Sequence, residues 1–584
     1  MAVNEPFKKE MKILHWILSQ GKVEDISKLR QTKEFLILLK SHGAEIIVFL
    51  SSFLNNKQIY NSFETVECYE ELIKIIIEHM DVQNAFITFL EQIDEDNCCV
   101  EKFLFLLKPL KLTLVKLADL RGYWLEWSLT TIKCYLDSMP SPEDNFIDFN
   151  ERKMLIIDCQ IDNIIRVIKS VFYFYETFIE NVISTREMES LLAFGLQLLS
   201  EPAVFVYVEK FEELEVICLK IVECIKLLPY NIHYFLDYLD ERHMKHSSNP
   251  KSILNKVNTD IMDAGIEVLR IEDRITIFNL AVYYFFAITE EPFKIFPVVY
   301  NKLYLFHKLL YLSIVLLQHS HNAVVRKGLL LAQRLLLALD NNSIPCYYLE
   351  LKLHPEFVKI ISSIGIYSYI FENRKLAIRL LQIYIYKFDP AGTYALYLNI
   401  TTVTSSPDID SEIITLFRNQ MYKSFIQNKF QYYQKGKLLI DLLKVFSHLG
   451  NNDDIDLLNY KNKIISYLHL FALIMRRDIN NETAVQKYLE YFKNNYFSVI
   501  NTAIEKSRKS IEKDLHTLLY TEKKDVEKYD IIVDGEILPT LKKEERVNAL
   551  KNALNALSMI DHAIELLRGY ISMSNLYSSL LNTQ

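Results

Sequence analysis

The chain has 584 residues, among them 12 glycines and 14 prolines, where average usage at about 12 per cent predicts roughly 70 of the two together. Turns are therefore few and regular elements long. Half of the residues are hydrophobic, 24% are charged, and 66 basic against 74 acidic side chains leave a net charge of −8, which excludes a disordered chain and offers no basic excess to drive binding to nucleic acid or insertion into an anionic membrane.

From the N-terminus, Glu5, Lys8, Lys9, Glu10 and Lys12 precede any apolar stretch, so the chain opens without the uninterrupted apolar core of a signal peptide. The eight cysteines, Cys68, Cys98, Cys99, Cys134, Cys159, Cys218, Cys224 and Cys346, form no CxxC pair and no dense framework. They read as reduced, buried thiols, and the expected setting is cytoplasmic. Adjacent Cys98 and Cys99 cannot both face one metal from a helix and read as core or semi-exposed thiols.

Apolar residues then recur at steps of three and four along most of the chain, through Phe103 to Leu117, Ile161 to Ile183, Ala203 to Leu228, Val324 to Leu339, Leu376 to Phe388, Leu438 to Leu449 and Ile464 to Met475. The last stripe is the longest: Val547, Leu550, Leu554, Leu557, Ile560, Ile564, Leu567 and Ile571. The pattern predicts roughly 22 to 26 helices. Pro140, Pro142, Pro229, Pro250, Pro297, Pro345, Pro355, Pro390 and Pro407 stand between the stripes as terminators. The most apolar window, Ile277 to Thr289, is fenced by Arg274 and Glu290 and falls short of the roughly 18 to 20 residues of a membrane span. No membrane insertion is expected.

Several stripes, such as Leu376 to Phe388, are apolar around more than half of the helix and must be covered on two sides. Stacked layers supply that cover, and the predicted fold is all-α, a HEAT/armadillo-like helical repeat solenoid. The polar run Glu241-Arg242-His243-Met244-Lys245-His246-Ser247-Ser248-Asn249-Pro250-Lys251-Ser252 is the expected linker, 241–252, between helical domains at 1–240 and 253–584. The gaps Pro140 to Asn145 and Thr401 to Ser411 read as loops within a half. Near the C-terminus, Tyr529 to Pro539 carries β-branched residues around Asp534-Gly535 and reads as a small hairpin or extended turn packed on the helical body, before the final helix.

The chemistry-bearing signatures are few. Neither GxGxxG, nor GxxxxGK[ST], nor GxSxG occurs. His243 with His246, and His319 with His321, lack a partner carboxylate at helical spacing. The first pair reads as a solvated loop and the second as histidines complementing the C-terminal end of an apolar helix. No metal, cofactor or catalytic residue is assigned, and binding by an extended surface is the expectation rather than catalysis. The 35 tyrosines and 34 phenylalanines read chiefly as core. Between Phe417 and Ile440, however, Arg418, Lys423, Lys429, Lys435 and Lys437 occur with Tyr422, Tyr432 and Tyr433 and without one acidic residue. This is a basic, aromatic patch on an acidic chain, either a solvated helix face with its loop or a binding surface.

Collinear stretches carry a family resemblance. They are Leu106-Leu107-Lys108-Pro109-Leu110 with Val115-Lys116-Leu117, Val324-Val325-Arg326-Lys327-Gly328-Leu329, Tyr348-Leu349-Glu350-Leu351-Lys352, and Arg374-Lys375-Leu376-Ala377 through Leu381 to Ile385 with Lys387, Asp389, Gly392 and Tyr394. Arg418-Asn419-Gln420 and Ile532 to Pro539 follow in order. In these the chain resembles the glomulin family, helical-repeat regulators of cullin-RING ubiquitin ligases. The resemblance implies a non-catalytic inhibitor whose C-terminal domain binds the RING domain of the RING-box subunit, in ligases of the Skp-cullin-F-box type, and blocks recruitment of the ubiquitin-conjugating enzyme.

Carried over residue by residue, Arg418 falls where the family has a lysine linked to RING binding, and a guanidinium there keeps the charge with a different geometry. Asn419, Gln420 and Lys423 stand beside it, and Arg374 and Lys375 match a basic pair in the family. The resemblance also allows a general helical-repeat scaffold that binds other clients, such as an immunophilin or a receptor tail, and leaves ubiquitin transfer unaffected.

Overall fold

The computed structural model describes residues 11–14, 32–54, 63–95, 98–117, 121–142, 159–207, 211–230, 232–233, 235, 274–288, 300–404, 406–449, 456–520, 531–533, 536–538 and 543–581. By contact the chain divides into two compact units, Met1–Arg334 and Leu335–Gln584. The expected linker, 241–252, with His243 and His246, lies outside the described residues, as does the charged stretch 5–10.

In the first unit, α1 (Lys33–Phe53), α2 (Phe63–His79), α3 (Val82–Ile93), α4 (Val100–Lys116), α5 (Arg121–Ser138), α6 (Cys159–Ile179), α7 (Thr185–Leu198), α8 (Glu212–Leu227) and α9 (Ile277–Ala287) are followed by α10 (Lys302–Leu317) and by α11 (Asn322–Leu337), which reaches past the division. From α1 to α9 each helix packs on the next but one. Helices α1, α3, α5, α7 and α9 touch in one row, and α2, α4, α6 and α8 in another. Two-layer stacking of this kind covers both sides of an apolar helix, and it is the helical-repeat arrangement that the sequence predicts. Polar residues fix where helices begin. The Asp81 carboxylate accepts from the Asn84 amide at 3.0 Å to start α3, and Thr276 and Asn279 cap α9 reciprocally. Helix α1 is long and apolar enough, at mean hydropathy 1.5, to cross a membrane; in the fold its Leu39, Ile46, Ile47 and Leu50 are buried where it packs on α2 and α3.

Close packing in this unit depends on small residues, Gly195 among them. A Cβ at Gly195 of α7 would stand 3.0 Å from Ile225 of α8 and closer still to the Tyr175 hydroxyl of α6. Among the described residues charge is buried in pairs or against carbonyls. Arg121 donates to both carboxylate oxygens of Glu187, at 3.0 and 2.8 Å, and Lys327 donates to the carbonyls of Val204 and Val206 at 2.7 and 2.6 Å. One sequence reading is corrected here. His321 does not serve the end of α10: its Nδ1 accepts from the Ala323 amide at 3.2 Å in the first turn of α11, which leaves Nε2 to donate to the Pro142 carbonyl at 3.2 Å.

The second unit contains α12 (Leu353–Tyr367), α13 (Phe371–Lys387), α14 (Pro390–Thr404), α15 (Pro407–Gln427), α16 (Gly436–Phe446), α17 (Lys461–Arg477), α18 (Gln486–Phe492), α19 (Ser498–Tyr520) and α20 (Lys543–Leu581). Here α13, α15, α17 and α20 form one row, and α12, α14 and α16 stack behind them. Thr401 to Ser411 is not an open loop: α14 runs to Thr404 and α15 starts at Pro407, because proline at a first helical position costs no hydrogen bond. Similarly, Pro355 is not a terminator but sits in the first turn of α12, and Pro109 lies inside α4. The strands β1 (Ile531–Val533) and β2 (Glu536–Leu538) pair antiparallel, Ile532 opposite Ile537, as the Asp-Gly signal predicts.

Many of the described aromatic residues fill the space between the rows. Tyr397, Phe417 and Phe446 of α14, α15 and α16 meet edge to face at 5.2 to 6.3 Å, with Tyr433 beside them. Phe471 of α17 stacks on Phe492 at 4.3 Å, and His354 of α12 donates to or accepts from the Tyr384 hydroxyl of α13 at 2.6 Å. Burying each such ring contributes about 1.5–3 kcal/mol and holds the layers in register.

Candidate protein-binding face

Helix α15 carries Arg418, Tyr422 and Lys423 of the basic patch, whereas Lys429, Lys435 and Lys437 lie beyond its end and Lys435 bonds Glu482 at 3.1 Å. The helix starts at Pro407 with Asp408 and Asp410 in its first turn, where negative charge complements the helix dipole, and it stops at Asn428, whose φ of 49° admits the left-handed cap. Its neighbour α17 ends on Arg476 and Arg477, the matching charge for a C-terminal turn.

Pairings across the interface fix the register of the two helices. Lys463 of α17 bonds Asp410 of α15 at 2.7 Å, Ser466 meets Ser411 at 3.1 Å and Thr415 at 3.3 Å, His469 interacts with Arg418, and the Arg477 guanidinium lies 5.7 Å from the Tyr422 ring. Numbers rise together on both helices, so they run parallel. The same holds between α17 and α20, where His469 interacts with His562 and Arg476 lies 5.7 Å from the Tyr570 ring. Three parallel helices thus present one outward surface.

That surface is positive and partly apolar. Arg418 is half-buried in the groove between α15 and α17, Asn419 and Lys423 are exposed on the crest of α15, and Arg476 and Arg477 are exposed at the end of α17. Among the described residues no carboxylate bonds Arg418, Lys423, Arg476 or Arg477. Two nearby acids are engaged elsewhere, Asp410 with Lys463 and Asp561 with Arg508 of α19. Apolar groups sit between the charges: Tyr422 is 43% exposed and Met559 56%, with Leu566 two turns on from Met559 and half-buried Leu473 on α17. His469 is held below the usual histidine range first by burial, then by Arg418 and His562. Burial drives the Asp410 carboxyl above its ordinary range in spite of Lys463.

The six residues singled out in the sequence separate in the structure. Arg418, Asn419 and Lys423 share the outward face. Gln420 turns the other way, hydrogen-bonded to Tyr386 of α13 and accepting from the Tyr433 hydroxyl at 3.4 Å. Arg374 and Lys375 belong to the start of α13. With Ile378 and Ile409 both against Gly365 and Tyr386 level with Gln420, they stand about 20 Å from Arg418 along the helix axes. The Arg374 guanidinium donates to the Ser368 carbonyl at 3.0 Å and lies 5.9 Å from the Phe371 ring, so it braces the α12–α13 corner, while Lys375 is exposed. Of the three tyrosines in the patch, Tyr422 and Tyr432 are exposed and Tyr433 is core.

Sequence reasoning missed His469, His562, Arg476, Arg477, Met559 and Leu566. Each lies on an ordinary amphipathic stripe far from Arg418 in sequence, and only the parallel register brings them together. No group of three or more metal-ligating side chains that could hold an ion occurs among the described residues.

No protein-family model matches the chain. Human glomulin is 22% identical to it over 566 residues, a match that covers 94% of this chain and 90% of that protein. Mouse glomulin is likewise 22% identical, over 574 residues, with the same two coverages.

Proposed function

The full-length similarities support assigning this chain to the glomulin family, and from that premise we propose that it is a non-catalytic inhibitor of cullin-RING ubiquitin ligases, acting in the cytoplasm. In this reading the second unit binds the RING domain of the RING-box subunit through the α15–α17–α20 face and covers the surface that the ubiquitin-conjugating enzyme must reach. Inhibition is occlusion. A specific interface of standard size takes about 800 Å² per partner, and three adjacent parallel helices offer a surface of that order.

The observation that carries the reading is the position of Arg418. It lies in a groove lined by basic side chains from three helices, flanked by exposed apolar side chains, without a carboxylate bonded to it from the described residues. Such a face combines an apolar centre for affinity with charge that selects an acidic or desolvated partner surface and speeds encounter.

The test is binding of the purified chain to a RING-box and cullin fragment, with ubiquitin discharge from the conjugating enzyme followed in parallel. Binding with loss of discharge supports the occluding inhibitor. Binding with discharge intact would replace it by an adaptor at the same ligase. Absence of binding at micromolar concentration would leave a helical-repeat scaffold with other clients, an immunophilin or a receptor tail among them.

A further inference from the structure

Arg418 and His469 each lie three residues beyond Thr415 and Ser466, which meet at 3.3 Å, and His562 lies eight residues before Tyr570, whose ring is 5.7 Å from Arg476, so the three side chains stand at one level of three separate helices. The groups that face His469 can be named element by element. From α15 comes Arg418, with Glu412 about 9 Å earlier along the same helix. From α20 comes His562, with Glu565 one turn on and Asp561 turned to Arg508 of α19. On α17 itself Arg476 follows two turns later, and behind it the contacts with α18 are aromatic, Phe471 with Tyr488 and Phe492. The notch therefore gathers one fixed cation and two imidazoles with no anion bonded to them among the described residues, and by helical spacing Tyr422 follows Arg418, Leu473 follows His469, and Met559 and Leu566 flank His562.

We infer that this notch takes a carboxylate side chain of a protein partner, an aspartate or glutamate flanked by apolar residues, and that His469 takes up a proton as the carboxylate seats. The inference rests on the proposed binding face and specifies the chemistry that the face selects. A carboxylate can accept hydrogen bonds from the Arg418 guanidinium and from both imidazolium rings, whereas a neutral amide of the same shape gains neither the charge nor the proton. The flanking apolar residues would cover the Leu473, Met559 and Leu566 side chains, removing from water the surface that the helices leave open.

The pH dependence has a definite sign. In the free protein His469 is easier to deprotonate than an ordinary histidine, because burial and two neighbouring cationic groups oppose its charge. A bound carboxylate reverses that balance, so binding is coupled to proton uptake. Affinity rises as pH falls through the bound-state value and levels off below the free-state one. A partner carboxylate, with its ordinary value near 4, stays ionised throughout the range from about pH 8 to about pH 6.

The experiment measures, by fluorescence anisotropy on the full chain, binding of a synthetic peptide with one glutamate between leucines and of its glutamine counterpart. Measurements run from about pH 8 to about pH 6. The expected result is a roughly three- to tenfold tightening for the glutamate peptide and none for the glutamine peptide. His469→Gln should lose most of the slope, and the His469→Gln, His562→Gln double variant should lose all of it. Equal binding of the two peptides, no binding of either at millimolar concentration, or an unaltered slope in the double variant would overturn the inference. The RING-box fragment is measured on the same samples. If it binds while the glutamate peptide shows no preference, the carboxylate notch fails and the RING reading stands; the reverse pattern keeps the notch and removes the RING.

Discussion

Lys463 of α17 and Asp410 of α15 form an ion pair at 2.7 Å with each side chain only 5% exposed. The pair joins two helices that share a parallel course, and it stands about two turns from the groove where Arg418 meets His469. A buried pair of this kind adds little net stability over an apolar substitute, but it penalises every register that leaves one charge unpaired.

Removing one partner should therefore cost far more than removing both. Asp410→Asn or Lys463→Met is expected to destabilise the second unit by about 3–5 kcal/mol, and the double replacement by apolar residues by much less. Because Trp16, Trp124 and Trp127 all fall in the first unit, tryptophan fluorescence cannot follow this loss. Hydrogen exchange at the amides of α15 and α17 reads it directly, and equal protection in the single and double variants would contradict the account.

Arg418→Glu is expected to weaken binding of the RING-box fragment by about tenfold or more, with the association rate falling most and the salt dependence flattening. Thermal stability should stay unchanged, since the guanidinium makes no hydrogen bond among the described residues. Arg374→Glu makes the contrast: it removes the bond to the Ser368 carbonyl and should loosen the α12–α13 corner while leaving affinity nearly intact. Equal loss of affinity in both variants would move the interface toward α13.

Gly195→Ala should destabilise the first unit by about 1–3 kcal/mol, because the added methyl meets the Tyr175 hydroxyl, a buried oxygen with no hydrogen-bond partner among the described residues. Deleting that oxygen with Tyr175→Phe should restore part of the loss. Chemical denaturation followed by fluorescence tests the pair, and additive effects of the two substitutions would exclude the contact as the cause.

The Glu187 carboxyl is pushed up by burial, yet Arg121 and the amides of Ile183 and Ser184 outweigh that and hold it below the ordinary range. With the folded-state value below the unfolded one, near 4.3, the group stabilises the first unit at neutral pH, and the contribution is lost as pH falls through the folded-state value. Glu187→Gln is expected to cost about 3–5 kcal/mol at neutral pH and to converge with the wild type in acid. Denaturation midpoints at several pH values check this; a constant difference down to the lowest pH would rule out the linkage.

Local pattern made much of this molecule legible. The spacing of Leu376 to Phe388 requires cover on two sides, and α13 has it, between α12, α14 and α15. The Asp534-Gly535 pair announced the hairpin. What the pattern did not separate was the two faces of α15. Arg418 and Gln420 are two residues apart and look alike as candidates, yet a step of 200° around the helix sends one to α17 and the other to Tyr386. The loop expected at Thr401 to Ser411 failed for a related reason: proline and threonine read as breakers in isolation, while Pro407 is the favoured first residue of a helix.

Composition and periodicity by themselves determined that this chain is a stack of helices, because apolar residues at steps of three and four must be buried and the scarcity of glycine and proline leaves little else to build with. They also marked the one stretch where basic and aromatic residues gather without acids. The tertiary structure decided what stands opposite that stretch. His469 lies 51 positions from Arg418 and His562 a further 93, distances over which helical periodicity carries no information. Their meeting follows from the parallel register that Lys463 and Asp410 impose on buried faces, and a register is a property of packed pairs rather than of any one segment.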